Sequence, residues 1–247
     1  YVHGPSLKSF VLLMMASLSC NNAKTIISAM HPGFTHLSKL FIPFFKPDLI
    51  LTQSYETEER FKKLGCITEF LPCGVDVEKF KPAMKRTKEE LREKYGIDKQ
   101  KFIILHIGSI KEGRGIQLLK KLQSNNNQVL IVGSSSVGVD SKVHRSLVES
   151  GCIVWTKYIK NIEEIYAISN CYVYPTISRC DFLGRVIADS IEMPLTVLEA
   201  MSCNLPVIST KFGALPRVFE EGAGLSYVEK ESDFIAAFER IKNDNVE

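Results

Sequence analysis

From residue 100 onward, short continuous runs of branched and aromatic residues alternate with stretches of helical periodicity, and nothing else in the sequence constrains the fold as strongly. The apolar runs fall at 102–108, 128–133, 152–159, 171–175, 206–210 and 224–228. The helical stretches fall at 115–123, 141–149, 162–169, 194–201, 215–220 and 231–242. A strand that is apolar without alternation is buried on both faces, and parallel pairing needs a long crossover between strands, most often a helix. This half of the chain is therefore expected to form a Rossmann-like α/β layer sandwich.

The first 70 residues follow the same grammar less completely. A helix at 6–19, strands at 25–29 and 49–52, a helix at 56–64 and a strand at 68–71 read as the second half of another α/β domain. Residues 72–82 carry Gly74, charges and two prolines, which suits an extended connection. A helix is expected at 87–95, with Thr87 as N-cap and Glu90 in the capping-box position. The division that follows is a partial N-terminal domain at 1–72, a linker at 73–82 and a second domain at 83–247. The chain opens on Tyr1 rather than Met, so an upstream segment is expected.

Composition excludes several classes. The 31 Lys and Arg against 28 Asp and Glu leave a net charge of +3, too mild for a polyanion binder, so no nucleic-acid partner is expected. Hydrophobic residues at 45% and charged residues at 24% are globular proportions and exclude disorder. Seven scattered cysteines contain no C-x-x-C pair, which speaks against a disulfide framework or zinc knuckle and for a reducing, cytoplasmic setting. The longest apolar run, residues 10–18, is shorter than the roughly 18–20 residues a bilayer span needs.

Two segments carry chemistry. In Glu192-Met-Pro-Leu-Thr-Val-Leu-Glu199, Pro194 opens a helix whose first amides, at Leu195 and Thr196, have no intrahelical partners and form an anion site. Glu199 on the same helix suits neutral hydroxyls, as acidic residues do for ribose in dinucleotide folds. The bland alternative is an amphipathic helix with a solvated Glu. The second segment runs from Ile107 and Gly108 through Ser109, Lys111 and Arg114 to Gly115, the turn out of the first strand of this half. Ligands of open α/β sheets sit at carboxyl ends of strands, so Arg114 is placed to meet an anion, and the glycines at 108, 113 and 115 allow close backbone approach. The turn is neither G-x-G-x-x-G nor a Walker loop, which disfavours an NAD-linked protein.

Taken together, Leu71-Pro-Cys-Gly-Val-Asp76 with Phe80 and Pro82, the glycine-flanked Arg114, and Pro194-Leu-Thr-Val-Leu-Glu199-Ala-Met followed by Leu205-Pro-Val-Ile-Ser-Thr resemble the family 4 retaining glycosyltransferases, over most of residues 25–242 and in the right order. The resemblance implies the GT-B architecture, two Rossmann-like domains with parallel sheets, the first incomplete here, and a nucleotide-diphosphate sugar held mainly by residues 83–247. It implies a hexosyltransferase acting with retention on a lipid, glycan or small-molecule acceptor, with no cofactor and no metal.

Residue by residue, the family's basic pair falls on Ser109 and Arg114, so one cation is replaced by a hydroxyl. The ribose-binding member of its glutamate pair falls on Glu199, and the other falls on Ile191, with Glu192 one place late. Gly133 ends the second strand, and Tyr158 with Ile159 resembles the segment whose backbone reads the nucleobase. His31, in Ser28-Ala-Met-His31-Pro-Gly33, resembles the strand-end histidine that faces the reacting sugar. The catalytic candidates are thus His31, Glu192 and Arg114. Gly108, Ser109, Gly133, Tyr158, Ile159, Leu195, Thr196 and Glu199 join Arg114 as the substrate-binding candidates.

The aromatic run at 34–45, edged by Lys39 and Lys46, reads either as domain core or as a patch that meets a lipid-linked acceptor at the inner membrane face. Ser109 and Ile191 leave open a second class, a non-catalytic nucleotide-sugar-binding or partner subunit.

Overall fold

The computed structural model describes residues 6–29, 40–134, 138–177, 192–222 and 224–244. These divide into two compact units. One comprises the residues up to Cys73 with 192–194 and 212–218, and the other comprises the remainder from Gly74.

In the first unit, β1 (Ile26–Ala29), β2 (Leu49–Thr52) and β3 (Thr68–Phe70) form a parallel sheet in that order, with Ile27 beside Ile50 and Leu51 beside Glu69. Helix α1 (Leu7–Ser19) starts at Ser6, whose hydroxyl accepts from the Ser9 amide. Helix α2 (Tyr55–Lys63) starts at Ser54 in the same manner, with Glu56 and Glu58 in its first turn and Arg60, Lys62 and Lys63 in its last, each sign at the end where the helix dipole favours it. Phe10 of α1 stacks on Phe61 of α2 at 6.1 Å over a core of Ile27, Ala29, Ile42, Ile50 and Cys66. Arg217, on the short helical turn Leu215–Val218, pairs with Glu58 at 2.5 Å and lies 3.6 Å from the Phe70 ring centroid. Lys62 and then Arg217 hold the Glu58 carboxyl below its ordinary pKa.

The aromatic run divides: Ile42 is fully buried and Phe45 packs on this core, whereas Leu40, Phe41 and Phe44 are exposed, Phe44 to 76%. Residues 34–39 of that run lie outside the described residues. Among the described residues no helix is long and apolar enough to cross a membrane.

In the second unit, α3 (Lys85–Lys94) precedes β4 (Phe102–Ile107), β5 (Asn127–Val132), α4 (Ser141–Glu149), β6 (Ile153–Trp155), α5 (Ile162–Ala167), β7 (Cys171–Tyr174), α6 (Leu195–Ser202), β8 (Val207–Ser209), β9 (Leu225–Tyr227) and α7 (Glu231–Asp244). The six strands are all parallel, in the order β6-β5-β4-β7-β8-β9. Strand order therefore reverses between β4 and β7, the doubly wound arrangement in which a crevice opens at the carboxyl ends of those two strands. Every residue of β5 is buried, as are Ile103, Ile104 and Leu105 of β4. Ile104, Val129, Ile131, Val173 and Ile208 meet Leu147 of α4 and Phe234 and Phe238 of α7 on one face. On the other face Tyr172 meets Tyr166 of α5 with ring centroids 6.0 Å apart. Each fully buried Ile or Leu of such a sheet contributes about 1.5–3 kcal/mol, which is why continuous apolar runs were the readable signal.

Two local expectations are corrected. Helix α3 begins at Lys85 with no side-chain cap, so Thr87 lies inside it, and Glu90 pairs with Arg86 one turn back at 3.0 Å instead of closing a capping box. The helical stretch expected after Gly115 is present as a 3₁₀ helix, Ile116–Leu122. The run expected at 152–159 stops as a strand at Trp155, because pairing with β5 ends at Val132. The connection at 74–82 is a packed turn: Asp76 accepts from the Glu78 and Lys79 amides, the Ser202 hydroxyl donates to the Phe80 carbonyl, and the buried Phe80 ring stands edge-on to Tyr166 at 5.6 Å.

Candidate functional site

The carboxyl ends of β4 and β7 and the first turn of α6 meet in the second unit, and one buried side chain ties them. The Tyr172 hydroxyl bridges the Ile107 carbonyl at 3.1 Å and the Thr196 hydroxyl at 2.7 Å. The last carbonyl of β4 and the N-terminus of α6 are thereby held on one group. Beside it, the fully buried Tyr166 donates to Glu199 Oε2 at 2.5 Å, the short length of a charge-assisted bond, and lies 3.4 Å from the Thr196 carbonyl. Burial drives the Tyr166 pKa well above its ordinary value, with Tyr172 and Glu199 adding to the effect, so the phenol keeps its proton and remains a donor.

The turn after β4 packs tightly against its neighbours. Gly115 has φ of 71°, and a Cβ there would lie 2.2 Å from the Pro175 carbonyl oxygen, so this position admits only glycine. The Thr176 hydroxyl donates to the Arg114 carbonyl at 3.3 Å, which seats the end of the turn on the chain leaving β7. At the end of β5, a Cβ on Gly133 would meet the Ile110 side chain at 2.5 Å, so the turn lies directly over that strand end. Beneath the turn, His106 is buried against Gly108 and flanked by Tyr172 and Tyr174, with Nδ1 2.9 Å from the Val173 carbonyl. A carbonyl only accepts, so Nδ1 carries the proton. Burial holds the imidazole neutral, with its pKa lowered to about 4 despite that bond.

Gly108, Ser109, Arg114, Gly133, Thr196 and Glu199 thus belong to one end of one sheet, with Ser109, Arg114, Thr196 and Glu199 half-buried. Leu195, the first residue of α6, is exposed. Tyr158 and Ile159 follow β6, where the Tyr158 side chain is 89% exposed and Ile159 is half-buried. The Gly133 amide donates to the Trp155 carbonyl at 2.8 Å, linking that segment to the end of β5.

Glu192 has a side-chain partner elsewhere in the chain. It groups with the first unit, 6% exposed, where it accepts from the Thr57 hydroxyl in the first turn of α2 and its main-chain carbonyl accepts from Ala214. Burial raises its carboxyl pKa, opposed by bonds from Thr57 and Ser54, and Oε2 has no partner among the described residues. A helix N-terminus attracts a carboxylate, which suits this placement of the Glu192 side chain. His31 and Ile191 lie outside the described residues.

Sequence reading missed His106, Tyr166 and Tyr172. Each sits in an apolar run or on a helix face where an aromatic residue ordinarily means core, and only their non-local hydrogen bonds distinguish them.

Known proteins resemble the chain in sequence and in fold. A putative teichuronic acid biosynthesis glycosyltransferase, TuaC of Bacillus subtilis, is 24% identical over 225 residues, covering 86% of this chain and 53% of that protein. D-inositol 3-phosphate glycosyltransferase of Corynebacterium jeikeium is 26% identical over 181 residues, covering 66% of this chain and 40% of its own length. The chain thus spans about half the length of these curated relatives or less. Among solved structures, Anabaena HepE in complex with UDP superposes with a TM-score of 0.75 at 15% identity, covering 97% of this chain and 68% of HepE. Sucrose-phosphate synthase from Thermosynechococcus elongatus superposes with a TM-score of 0.69 at 18% identity, covering 97% and 63%. The fold is that of GT-B glycosyltransferases. The sequence profile of glycosyl transferases group 1 matches residues 87–247, well over half of the chain, and the chain belongs to that family.

Proposed function

We propose that this protein transfers a hexosyl group from a nucleotide-diphosphate sugar to an acceptor with retention of configuration, and that residues 83–247 supply the donor site, with Glu192 and Arg114 among its catalytic candidates. The observation that carries the reading is the joining of the β4 turn, the β7 end and the α6 N-terminus around Tyr172, with Glu199 held one turn along α6 by Tyr166. Amides at Leu195 and Thr196 and the Arg114 guanidinium offer preorganised positive potential to a departing diphosphate, and this role requires no metal. Glu199 accepts from ribose hydroxyls, and the backbone at Tyr158 and Ile159 reads the base. HepE was solved with UDP and with UDP-glucose, which supports a uridine diphosphate donor as the first to be tried. Retention then follows a front-side path in which the leaving phosphate takes the acceptor proton.

The acceptor side is assigned to the first unit, where the resemblance makes His31 a catalytic candidate. The exposed Leu40, Phe41 and Phe44 there suit a lipid-linked acceptor and peripheral membrane contact, in keeping with a cytoplasmic protein working at the inner membrane face. A non-catalytic nucleotide-sugar binder is the second reading, favoured by the engagement of Glu192 with Thr57.

Calorimetry with UDP, GDP and ADP, with and without chelator, tests the donor site. Binding of one of them that survives chelation is expected. No binding, or binding that needs a divalent ion, overturns it. Binding without release of nucleoside diphosphate from any nucleotide sugar selects the second reading.

A further inference from the structure

Among the described residues, Glu199 is anchored through one oxygen. Its Oε2 accepts from Tyr166 at 2.5 Å, and Tyr166 is itself fixed by complete burial, by the edge-on Phe80 ring at 5.6 Å and by Tyr172 at 6.0 Å. Phe80 comes from the turn at 74–82, and the Ser202 hydroxyl at the end of α6 holds its carbonyl. Three segments distant in sequence, at 80, at 166 and at 199–202, therefore pack around the phenol that binds one oxygen of this carboxylate.

We propose that Tyr166 is a positioning residue that orients the Glu199 carboxylate for a ribose diol, so that nucleotide selectivity at the sugar hydroxyls depends on a phenol that never touches the ligand. This rests on the donor-site reading above. A half-buried Glu on a helix surface otherwise samples several rotamers, and locking one oxygen leaves the second in a single direction, which lowers the entropy lost on binding. The high pKa of the buried phenol keeps its proton available for that bond throughout the neutral range. Tyr172 does the equivalent for the Thr196 hydroxyl, so the α6 turn and its carboxylate are held by adjacent rings.

The test is calorimetry on the full chain with UDP, or with GDP or ADP where one binds tighter, each paired with its 2′,3′-dideoxy form. Wild type is expected to prefer the ribose form. Tyr166→Phe, which keeps the ring and its packing, is expected to lower affinity for the ribose form about tenfold and to leave the dideoxy form within about twofold. In a Glu199→Gln background the same substitution is expected to add no further loss, the signature of residues acting through one another. Equal loss of both nucleotides in Tyr166→Phe, or loss of neither, overturns the positioning role and leaves the donor site standing. A wild type that binds nucleotide without preferring the ribose form overturns the ribose role of Glu199 together with this proposal. A wild type that binds none of the nucleotides overturns the donor-site reading itself.

Discussion

The neutral imidazole under the β4 turn makes the second unit sensitive to mild acid. In an unfolded chain His106 titrates near its ordinary value of 6.5, and in the fold near 4. Between those values the unfolded chain holds a proton that the native state refuses, so stability is lost as pH falls through this window. The full interval corresponds to about 3 kcal/mol, and about 2 kcal/mol of it is gone by about pH 5. Below the folded value both states are protonated, and His106 contributes no further loss. His106→Asn keeps a donor for the Val173 carbonyl and removes the titration. It costs packing by an amount that does not vary with pH. The readout is urea unfolding followed by fluorescence of Trp155, the single tryptophan, which lies at the end of β6 in the same unit. The difference between the two stabilities is expected to shrink as pH is lowered from about 7.5 to about 5, because only wild type carries the His106 loss. Subtraction removes titrations common to both proteins, including that of Glu58, whose depressed pKa makes its contribution fade at lower pH. Parallel stability profiles across the window would refute the argument, since they require an imidazole that charges as readily in the fold as outside it.

Other outcomes follow from the same geometry. Glu199→Gln is expected to weaken nucleoside diphosphate binding by about 1.5–3 kcal/mol and Glu192→Gln to weaken it less, and calorimetry that ranks them the other way removes Glu199 from the ribose position. Gly115→Ala imposes a left-handed residue costing about 1–2 kcal/mol on top of the clash with Pro175, so urea unfolding should show more than that lost, and a change below about 0.5 kcal/mol contradicts the packing. Arg114→Ala should weaken nucleotide binding and flatten its salt dependence, and an unchanged salt slope would place the diphosphate elsewhere. Phe44→Ser should reduce co-sedimentation with anionic vesicles, and equal partition of both proteins removes the membrane contact.

The strand and helix alternation and the parallel sheet of the second unit were legible because they are local properties: an apolar run buried on both faces looks the same whatever its neighbours are. The α6 segment was legible for the same reason, since a helix start and a carboxylate one turn later are consecutive in the chain. Smaller features resting on competition between near-equal alternatives were not legible, such as the start of α3 at Lys85 rather than Thr87. The hydroxyl partner of Glu199 lies 33 residues away on another helix, and no periodicity announces it. Glu192 reads in sequence as a neighbour of Glu199, seven positions along one segment, yet it is buried against the first turn of α2, where its partner Thr57 lies 135 residues upstream. Gly115 reads as room for a ligand, but what it accommodates is the Pro175 carbonyl. The sequence by itself determined which segments are strands and helices and which residue types stand at strand ends. Only the tertiary structure decided which of those residues meet, because pairing of distant segments depends on shape and burial summed over the whole unit rather than on any window of the chain.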